Sequence, residues 1–293
     1  MHSSASHRRA TLDALGAIAL WSTLALLGLK LARVPPFLLV GIALLLGAAV
    51  GARGISLRLR PAVLLLGVYG LFAYHFCLFL ALRLAPPVEA NLVNYLWPLL
   101  IVVLAPLFVP GTPLRPRHVV GALLGFGGAA LLVTGGRPGF SFPREGAAGY
   151  LLALAAAVIW STYSLLTKRA GSFPTSAIAT FCLVSGALAL GCHAAFEPRY
   201  VPRAAELPFL ALIGVGPMGA AFYLWDRALK GGDPRVVGTL AYLTPLLSTI
   251  LVATFGGGKL GPTSLTAMAL IVGGAVVGTW TPASASTPRG ARA

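Results

Sequence analysis

The sequence predicts an all-α polytopic membrane protein, with ten transmembrane helices arranged as two inverted five-helix repeats. Three observations lead to this fold class: the composition, the spacing of the apolar runs and a repeated sequence pattern. Of the 293 residues, 57% are hydrophobic and only 10% are charged, whereas soluble proteins carry about 25% charged residues. The mean hydropathy of +0.86 therefore indicates a chain whose main solvent is lipid.

The apolar residues fall into ten runs separated by turn signals and charges. A helix needs about 20 apolar residues to cross the hydrocarbon core of a bilayer. Proline stands at or near the start of many runs, where it suits the first helical turn because no N–H partner is lost. The predicted spans are Thr11–Ala32, Pro36–Ala52, Pro61–Leu82, Pro87–Val109, Pro116–Gly135, Gly146–Lys168, Pro174–Phe196, Leu207–Leu229, Pro234–Gly256 and Pro262–Thr281.

The second half of the chain repeats the first. NYLWPLL at Asn94–Leu100 aligns with AYLTPLL at Ala241–Leu247, and LWST at Leu20–Thr23 returns as IWST at Ile159–Thr162. Two tandem copies with an odd number of spans insert with opposite orientations, which produces an inverted repeat of the kind found in many secondary transporters. The predicted organisation is a tail at residues 1–10, repeat 1 at 11–136, a linker loop at 137–145, repeat 2 at 146–282 and a tail at 283–293.

Basic residues predict the orientation of the chain. The loops and tails on the side of both termini hold 14 of the 22 lysine and arginine residues, and such an excess marks the cytoplasmic side. These residues stand between apolar runs and not on a face interleaved with aromatics, so the net charge of +15 does not indicate a nucleic-acid partner. Cys77, Cys182 and Cys192 lie within apolar runs without metal-ligand spacing, so neither a metal site nor a disulfide framework is expected.

The tryptophan of each repeated motif lies deep in its span. Trp21 and Trp160 stand about ten residues or more inside the first and sixth spans, too deep for the aromatic belts at membrane surfaces. Equal depth in two inverted copies predicts that they form two facing walls of one central cavity.

Other residues within spans predict bending and packing. A proline removes one helical hydrogen bond, and the bend that follows can provide a hinge or simply accommodate packing. Small residues four apart at Gly121 and Gly125, and at Gly274 and Gly278, predict that the fifth and tenth spans are structural helices that pack closely. The candidate hinges are Pro98, Pro217 and Pro245.

His75 is the only ionisable residue near the middle of a predicted span. Ionisable groups at that depth are costly, and they usually face the bundle interior or a water-filled cavity. Two interpretations stay open for His75: a neutral ring bonded to a neighbouring helix, or a group that lines the pathway and hydrogen-bonds cargo.

The two repeats differ most in the third and fourth spans, where the first copy is the more polar. Asn91 and Asn94 align with Gly238 and Ala241. Positions that differ between copies are candidates for contact with cargo, although an asparagine within a span can equally join two helices. The candidate substrate-binding residues are Trp21, Tyr74, His75, Asn91, Asn94, Tyr95, Trp97, Trp160, Tyr163, Tyr223 and Tyr242.

At this point the chain resembles a known family. The segments ALWSTLALLGLK, YHFCLFLALRLAPPVEANLVNYLWPLL and VIWSTYSLLTKRA are similar to those of the drug/metabolite transporter superfamily, and more narrowly to the EamA-type exporters of aromatic amino acids in bacteria. The resemblance covers residues 11–282. It implies a secondary transporter of the bacterial inner membrane that exports neutral or aromatic amino acids and related small metabolites by alternating access.

Three other classes of function were weighed against this one. A multidrug exporter of organic cations would also use aromatic walls, but the mid-span carboxylate that commonly binds cations is missing. A membrane-embedded enzyme would need a nucleophile–base pair, a metal cluster or paired carboxylates, and no such set is present, so no catalytic residue is predicted. A purely structural subunit would not account for His75 and the differences between the repeats.

The expected partners follow from the same features. An aromatic, neutral and lightly polar cavity suits a zwitterionic amino acid, whereas phosphorylated cargo would need deep basic residues. The sequence therefore predicts amino acids or similar small molecules and membrane lipid as partners of a monomer, with no cofactor. Because no acidic residue falls at mid-span, facilitated movement or weak coupling is expected in place of proton exchange through a carboxylate.

Overall fold

The regular structure of the protein is helical throughout the part described. The computed structural model describes residues 2–56, 58–137, 141–170, 173–257 and 260–280, and these ranges contain no strand. Its ten helical segments are α1 (His2–Ser22, continued by Leu24–Lys30), α2 (Pro36–Val50), α3 (Pro61–Leu84), α4 (Pro87–Phe108), α5 (Pro116–Thr134), α6 (Ala147–Ala170), α7 (Ala177–Phe196), α8 (Leu207–Gly231), α9 (Pro234–Phe255) and α10 (Pro262–Thr279).

Nine of these segments in the described residues are long and apolar enough to cross a membrane. The exception is α2, whose 15 residues reach only about 23 Å at 1.5 Å per residue, against a hydrocarbon core of about 30 Å. The prediction of an all-helical, multi-pass membrane protein is thus confirmed. By length alone the structure provides nine spans where the sequence predicts ten.

Helix α1 extends the first predicted span toward the N-terminus. Helix α1 begins at His2, so it includes residues assigned to the N-terminal tail. The reason is local: HSSASHRRA contains no proline or glycine, so nothing stops the helix before Thr11. The predicted C-terminal tail at 283–293 and the predicted end of the last span at Thr281 lie outside the described residues.

Helices α3 and α8 each contain a π-helical turn, at Tyr69–Ala73 and Gly216–Ala220. Turns of this type occur mostly as single bulges, often at functional sites. The second of them contains Pro217, which cannot donate to the helical ladder. The candidate hinge at Pro217 therefore coincides with a real irregularity of α8.

Helices α4 and α9 are interrupted just before Pro98 and Pro245. The first part of α4 ends at Asn94 and the second begins at Trp97, while α9 breaks between Leu240 and Leu243. Each proline lacks the N–H that would bond the carbonyl four residues earlier, so the ladder is open at that level. Both breaks lie at the depth of the central cavity described below.

Helices from the two halves of the chain pack against each other in corresponding pairs. The most extensive contacts join α5 to α10, α2 to α7, α1 to α8 and α3 to α6. Between α5 and α10 the approach is so close that a Cβ added to Gly274 would lie 2.5 Å from the carbonyl oxygen of Gly121. The predicted packing of these two helices through small residues is confirmed.

Candidate functional site

A cavity of about 410 Å³ lies between α1, α2, α3, α4, α6, α8 and α9. Small-molecule sites commonly occupy about 300–1,000 Å³. Its described lining contains no Asp, Glu, Lys or Arg. Eight of the residues predicted from the sequence line it: Trp21, Tyr74, His75, Asn91, Asn94, Tyr95, Trp97 and Trp160.

Four tryptophans form one cluster at the cavity. The ring of Trp21 lies 5.8 Å from that of Trp160, 6.3 Å from that of Trp97 and 5.0 Å from that of Trp225, measured between centroids. The first two contacts are edge-to-face, an arrangement worth about 0.5–1.5 kcal/mol beyond buried area. The repeated tryptophans of the two WST motifs therefore do meet at one central site.

Trp21 and the hydroxyl groups of both WST motifs form hydrogen bonds within the protein. The indole N–H of Trp21 donates to the Pro217 carbonyl at 3.0 Å, which ties α1 to the π turn of α8. The hydroxyls of Ser22 and Ser161 bond back to the preceding turn of their own helices. Only the tryptophan of each motif contributes to the described lining of the cavity.

One wall of the cavity carries the polar groups of α3 and α4. The Nδ1 atom of His75 donates to the Leu71 carbonyl at 2.5 Å, and the Asn94 amide nitrogen donates to the Tyr74 hydroxyl at 3.3 Å. The Tyr74 ring packs against the rings of His75 and Trp160, with centroids 5.0 Å and 5.1 Å away. We call Tyr74, His75 and Asn94 the polar corner.

Three predicted contact residues lie elsewhere. Tyr163 is buried behind Trp160, with ring centroids 5.4 Å apart. The Tyr223 hydroxyl donates to the Gly47 carbonyl at 3.1 Å and so joins α8 to α2. Tyr242 is fully buried and contacts α4 from α9. None of the three belongs to the described lining, and each stabilises a helix contact instead.

Sequence reasoning missed several residues of this site. Phe222 and Thr244 line the cavity, and they align with His75 and Trp97 in the other repeat. The signal was present, because both residues stand at positions where the two copies differ. Trp225, which is 1% exposed and aligns with Leu78, was missed although it is another position at which the copies differ.

The end of the bundle that holds the start of α1 is closed by charged side chains. Asp13 of α1 and Arg227 of α8 pair at 2.5 Å. Asp226 is 1% exposed and accepts from Thr175 at 2.5 Å and from Lys230 at 2.9 Å. The sequence places these groups near span ends but does not reveal that they meet. We call this set the charged end.

The cavity lies toward the opposite end of the bundle. Along α1, Trp21, Leu24 and Gly28 line it, and all three follow Asp13 in the direction away from the charged end. At that opposite end the Glu197 carboxylate accepts from the backbone N–H groups of Phe37 and Leu38, at the start of α2. The side chain of Arg83 pairs with it at 2.7 Å.

A multi-pass helical bundle around an uncharged aromatic cavity fits a membrane transporter for small molecules. The model of the EamA-like transporter family matches residues 9–134 and 147–280, and the chain belongs to that family.

Relatives of known name cover nearly all of the chain. It is 47% identical to the aromatic amino acid exporter YddG of Ancylobacter novellus, over 94% of this chain and 98% of that protein. It is 32% identical to the protein of the same name from Salmonella typhimurium, over 84% and 88%. A solved crystal structure with 48% identity superposes with a TM-score of 0.89, over 93% of this chain and 97% of that one.

Proposed function

We propose that this protein is a secondary transporter that exports neutral and aromatic amino acids and related small metabolites across the bacterial inner membrane. The observation that carries the proposal is the cavity, whose described lining combines three tryptophans with the polar corner and holds no charged side chain. A zwitterionic amino acid with an apolar or aromatic side chain has the size and polarity that such a site accommodates. The relatives of similar length are named aromatic amino acid exporters.

We further propose ten spans arranged as two inverted five-helix repeats, with α2 as the short tenth span. The family match falls into two segments of similar length, 9–134 and 147–280. The helix pairs α5–α10, α2–α7, α1–α8 and α3–α6 are those expected when a two-fold axis exchanges the halves. Each half also contributes one π turn and one proline break at matching positions.

The proposed mechanism is alternating access. With both termini in the cytoplasm, as the distribution of basic residues predicts, the charged end closes the cytoplasmic side and the cavity opens to the outside. Transport then requires the charged end to part while the opposite end closes. The breaks before Pro98 and Pro245 and the π turn at Pro217 are the proposed hinges, because bending there breaks few helical hydrogen bonds.

The direct test is uptake of labelled phenylalanine, methionine and threonine by liposomes that contain the purified full-length protein. We expect saturable uptake, reduced at least tenfold by Trp160→Ala because that ring contacts the rings of Trp21, Trp97 and Tyr74. His75→Ala should also reduce it, since it removes a polar group from the cavity wall. Liposomes with Tyr223→Phe protein, altered outside the cavity, serve as the matched control.

The same uptake experiment tests the alternative function, export of organic cations. If no labelled amino acid accumulates and organic-cation drugs enter instead, the protein is a multidrug exporter and the amino acid proposal is wrong. A lasting change of lumenal pH driven by substrate alone would contradict the facilitated or weakly coupled movement that the sequence predicts.

A further inference from the structure

His75 presents a hydrogen-bond acceptor and not a donor at its free nitrogen. Its Nδ1 atom contacts the Leu71 carbonyl at 2.5 Å. A carbonyl can only accept, so Nδ1 carries the hydrogen, and the neutral ring keeps a lone pair on Nε2. His75 is 7% exposed and the described lining of the cavity includes no carboxylate, conditions that favour the neutral ring.

Asn94 adds a second free acceptor to the polar corner. Its amide nitrogen donates to the Tyr74 hydroxyl, while its Oδ1 atom is buried and has no hydrogen-bond partner among the described residues. The side chain is 5% exposed and belongs to the cavity lining. A buried acceptor without a partner is unfavourable, so a rotation of the amide that brings Oδ1 to a donor on a bound molecule would stabilise the complex.

The surroundings of the polar corner favour a cation over an anion. Aromatic rings surround the cavity, and among them Trp21, Trp160 and Phe222 lie within 6.2 Å of one another. A cation is attracted to the faces of such rings. A carboxylate, in contrast, would meet only neutral donors, because no lysine or arginine occurs in the described lining.

We infer that the cavity recognises its cargo through an ammonium group, which donates to Nε2 of His75 and Oδ1 of Asn94, and that it does not require the carboxylate. The class of ligand then extends from amino acids to aromatic primary amines that lack a carboxylate. This inference rests on the proposed function only in taking the cavity as the substrate site.

The test compares three ligands that share one phenyl ring: L-phenylalanine, phenethylamine and 3-phenylpropionate. Binding to the purified full-length protein is measured by isothermal titration calorimetry at pH 7.5. We expect phenethylamine to bind within about tenfold of phenylalanine. We expect 3-phenylpropionate to bind at least about tenfold more weakly than the amine, the scale of one lost charge-assisted hydrogen bond. Equal or tighter binding of the acid, or binding of none of the three, overturns the inference.

Substitutions at Asn94 test whether the ammonium group binds at the polar corner. Asn94→Asp keeps the shape and the Oδ1 acceptor, replaces the Nδ2 donor with a second acceptor and adds negative charge, so it should tighten phenethylamine at least threefold relative to 3-phenylpropionate. Asn94→Leu should weaken the amine and leave the acid unchanged. Tyr223→Phe, which changes a residue outside the cavity, is the control for the ratio of the affinity for the amine to the affinity for the acid. A ratio that none of the Asn94 variants alters would show that the polar corner does not bind the ammonium group.

The uptake experiment and the binding experiment test the two proposals independently. If phenylalanine enters the liposomes but the acid binds as tightly as the amine, the ammonium inference is wrong and the proposed function stands. If the amine binds more tightly than the acid but no amino acid is taken up, the proposed function is wrong and the inference that the cavity binds an ammonium group stands.

Discussion

The side chain of Tyr242 lies in the gap that Pro98 leaves in α4. The Leu99 N–H donates to its hydroxyl at 3.1 Å, and the hydroxyl donates to the Tyr95 carbonyl at 3.2 Å. In an unbroken helix these two backbone groups would bond each other. One hydroxyl from the second half of the chain thus completes the helix of the first half. This explains why a tyrosine that the sequence suggests as a substrate contact is fully buried.

Removing that hydroxyl should therefore affect stability more than binding. Tyr242→Phe leaves two buried backbone groups without partners, at a cost of about 1–3 kcal/mol each, so we expect a lower free energy of unfolding in detergent solution. The matched control is Tyr95→Phe, because the Tyr95 hydroxyl makes no hydrogen bond within the described part of the chain. Equal stability of the two variants would contradict the role assigned to Tyr242.

At the scale of helices, the contact between α5 and α10 depends on the absence of side chains. A Cβ at Gly121 would lie 2.6 Å from the Cα of Gly278, and one at Gly274 would lie 2.5 Å from the Gly121 oxygen. In lipid no hydrophobic force drives two apolar helices together, so close packing of backbones supplies much of the attraction. This helix pair forms a scaffold outside the cavity lining.

Two neighbouring glycines allow a matched test of this contact. Gly274→Ala places a methyl group against the backbone of α5, so overpacking should destabilise the protein by about 1–3 kcal/mol. Gly273→Ala meets nothing within 4 Å and should leave stability unchanged or slightly higher, because alanine favours helix. Thermal unfolding in the same detergent distinguishes them. Indistinguishable melting curves would remove the packing argument.

At the scale of the whole molecule, the two ends of the bundle are held by different kinds of contact. The charged end joins α1 to α8, and beside it Lys168 of α6 donates to the backbone oxygens of Lys230 and Gly232. The other end leaves the cavity accessible, and Glu197 links α2, α3 and α7 around it. In the proposed alternating mechanism the protein exchanges these two arrangements, and the contacts of the charged end contribute to their relative free energies.

Charge reversal at the charged end should shift that balance. Arg227→Glu places a negative charge opposite Asp13. It should therefore reduce the fraction of molecules in which the charged end is closed and the cavity is open at the other end. The shift should be a few-fold at most, because the Arg227 side chain is 50% exposed and such pairs contribute little. The readout is maleimide labelling of Gly28→Cys, a cavity position with room for a side chain, in a protein otherwise free of cysteine.

The double variant Asp13→Lys, Arg227→Glu is the control, because it restores an ion pair with reversed polarity. Labelling should return to the level of the parent protein. A single reversal that leaves the labelling rate unchanged would mean that the Asp13–Arg227 pair does not influence the conformational equilibrium.

The sequence by itself determined that this is a membrane protein, that its spans are helical and how deep its two repeated tryptophans lie. Those properties follow from composition and periodicity, because lipid demands that each span satisfy its own backbone hydrogen bonds. It also indicated Trp21, His75 and Asn94 as candidates for the cavity, and all three line it.

The tertiary structure alone decided which aromatic residues face the cavity and which fill gaps between helices. Tyr74 and Tyr242 look alike in sequence, each a tyrosine deep in an apolar run, yet one lines the cavity and the other completes a broken helix. The direction of a side chain depends on the rotation of its helix and on breaks such as that before Pro98. Residues distant in the chain determine the rotation of a helix and the position of its breaks. In the same way, the contact between Asp13 and Arg227 at the charged end joins two distant parts of the chain. No local pattern encodes such pairings.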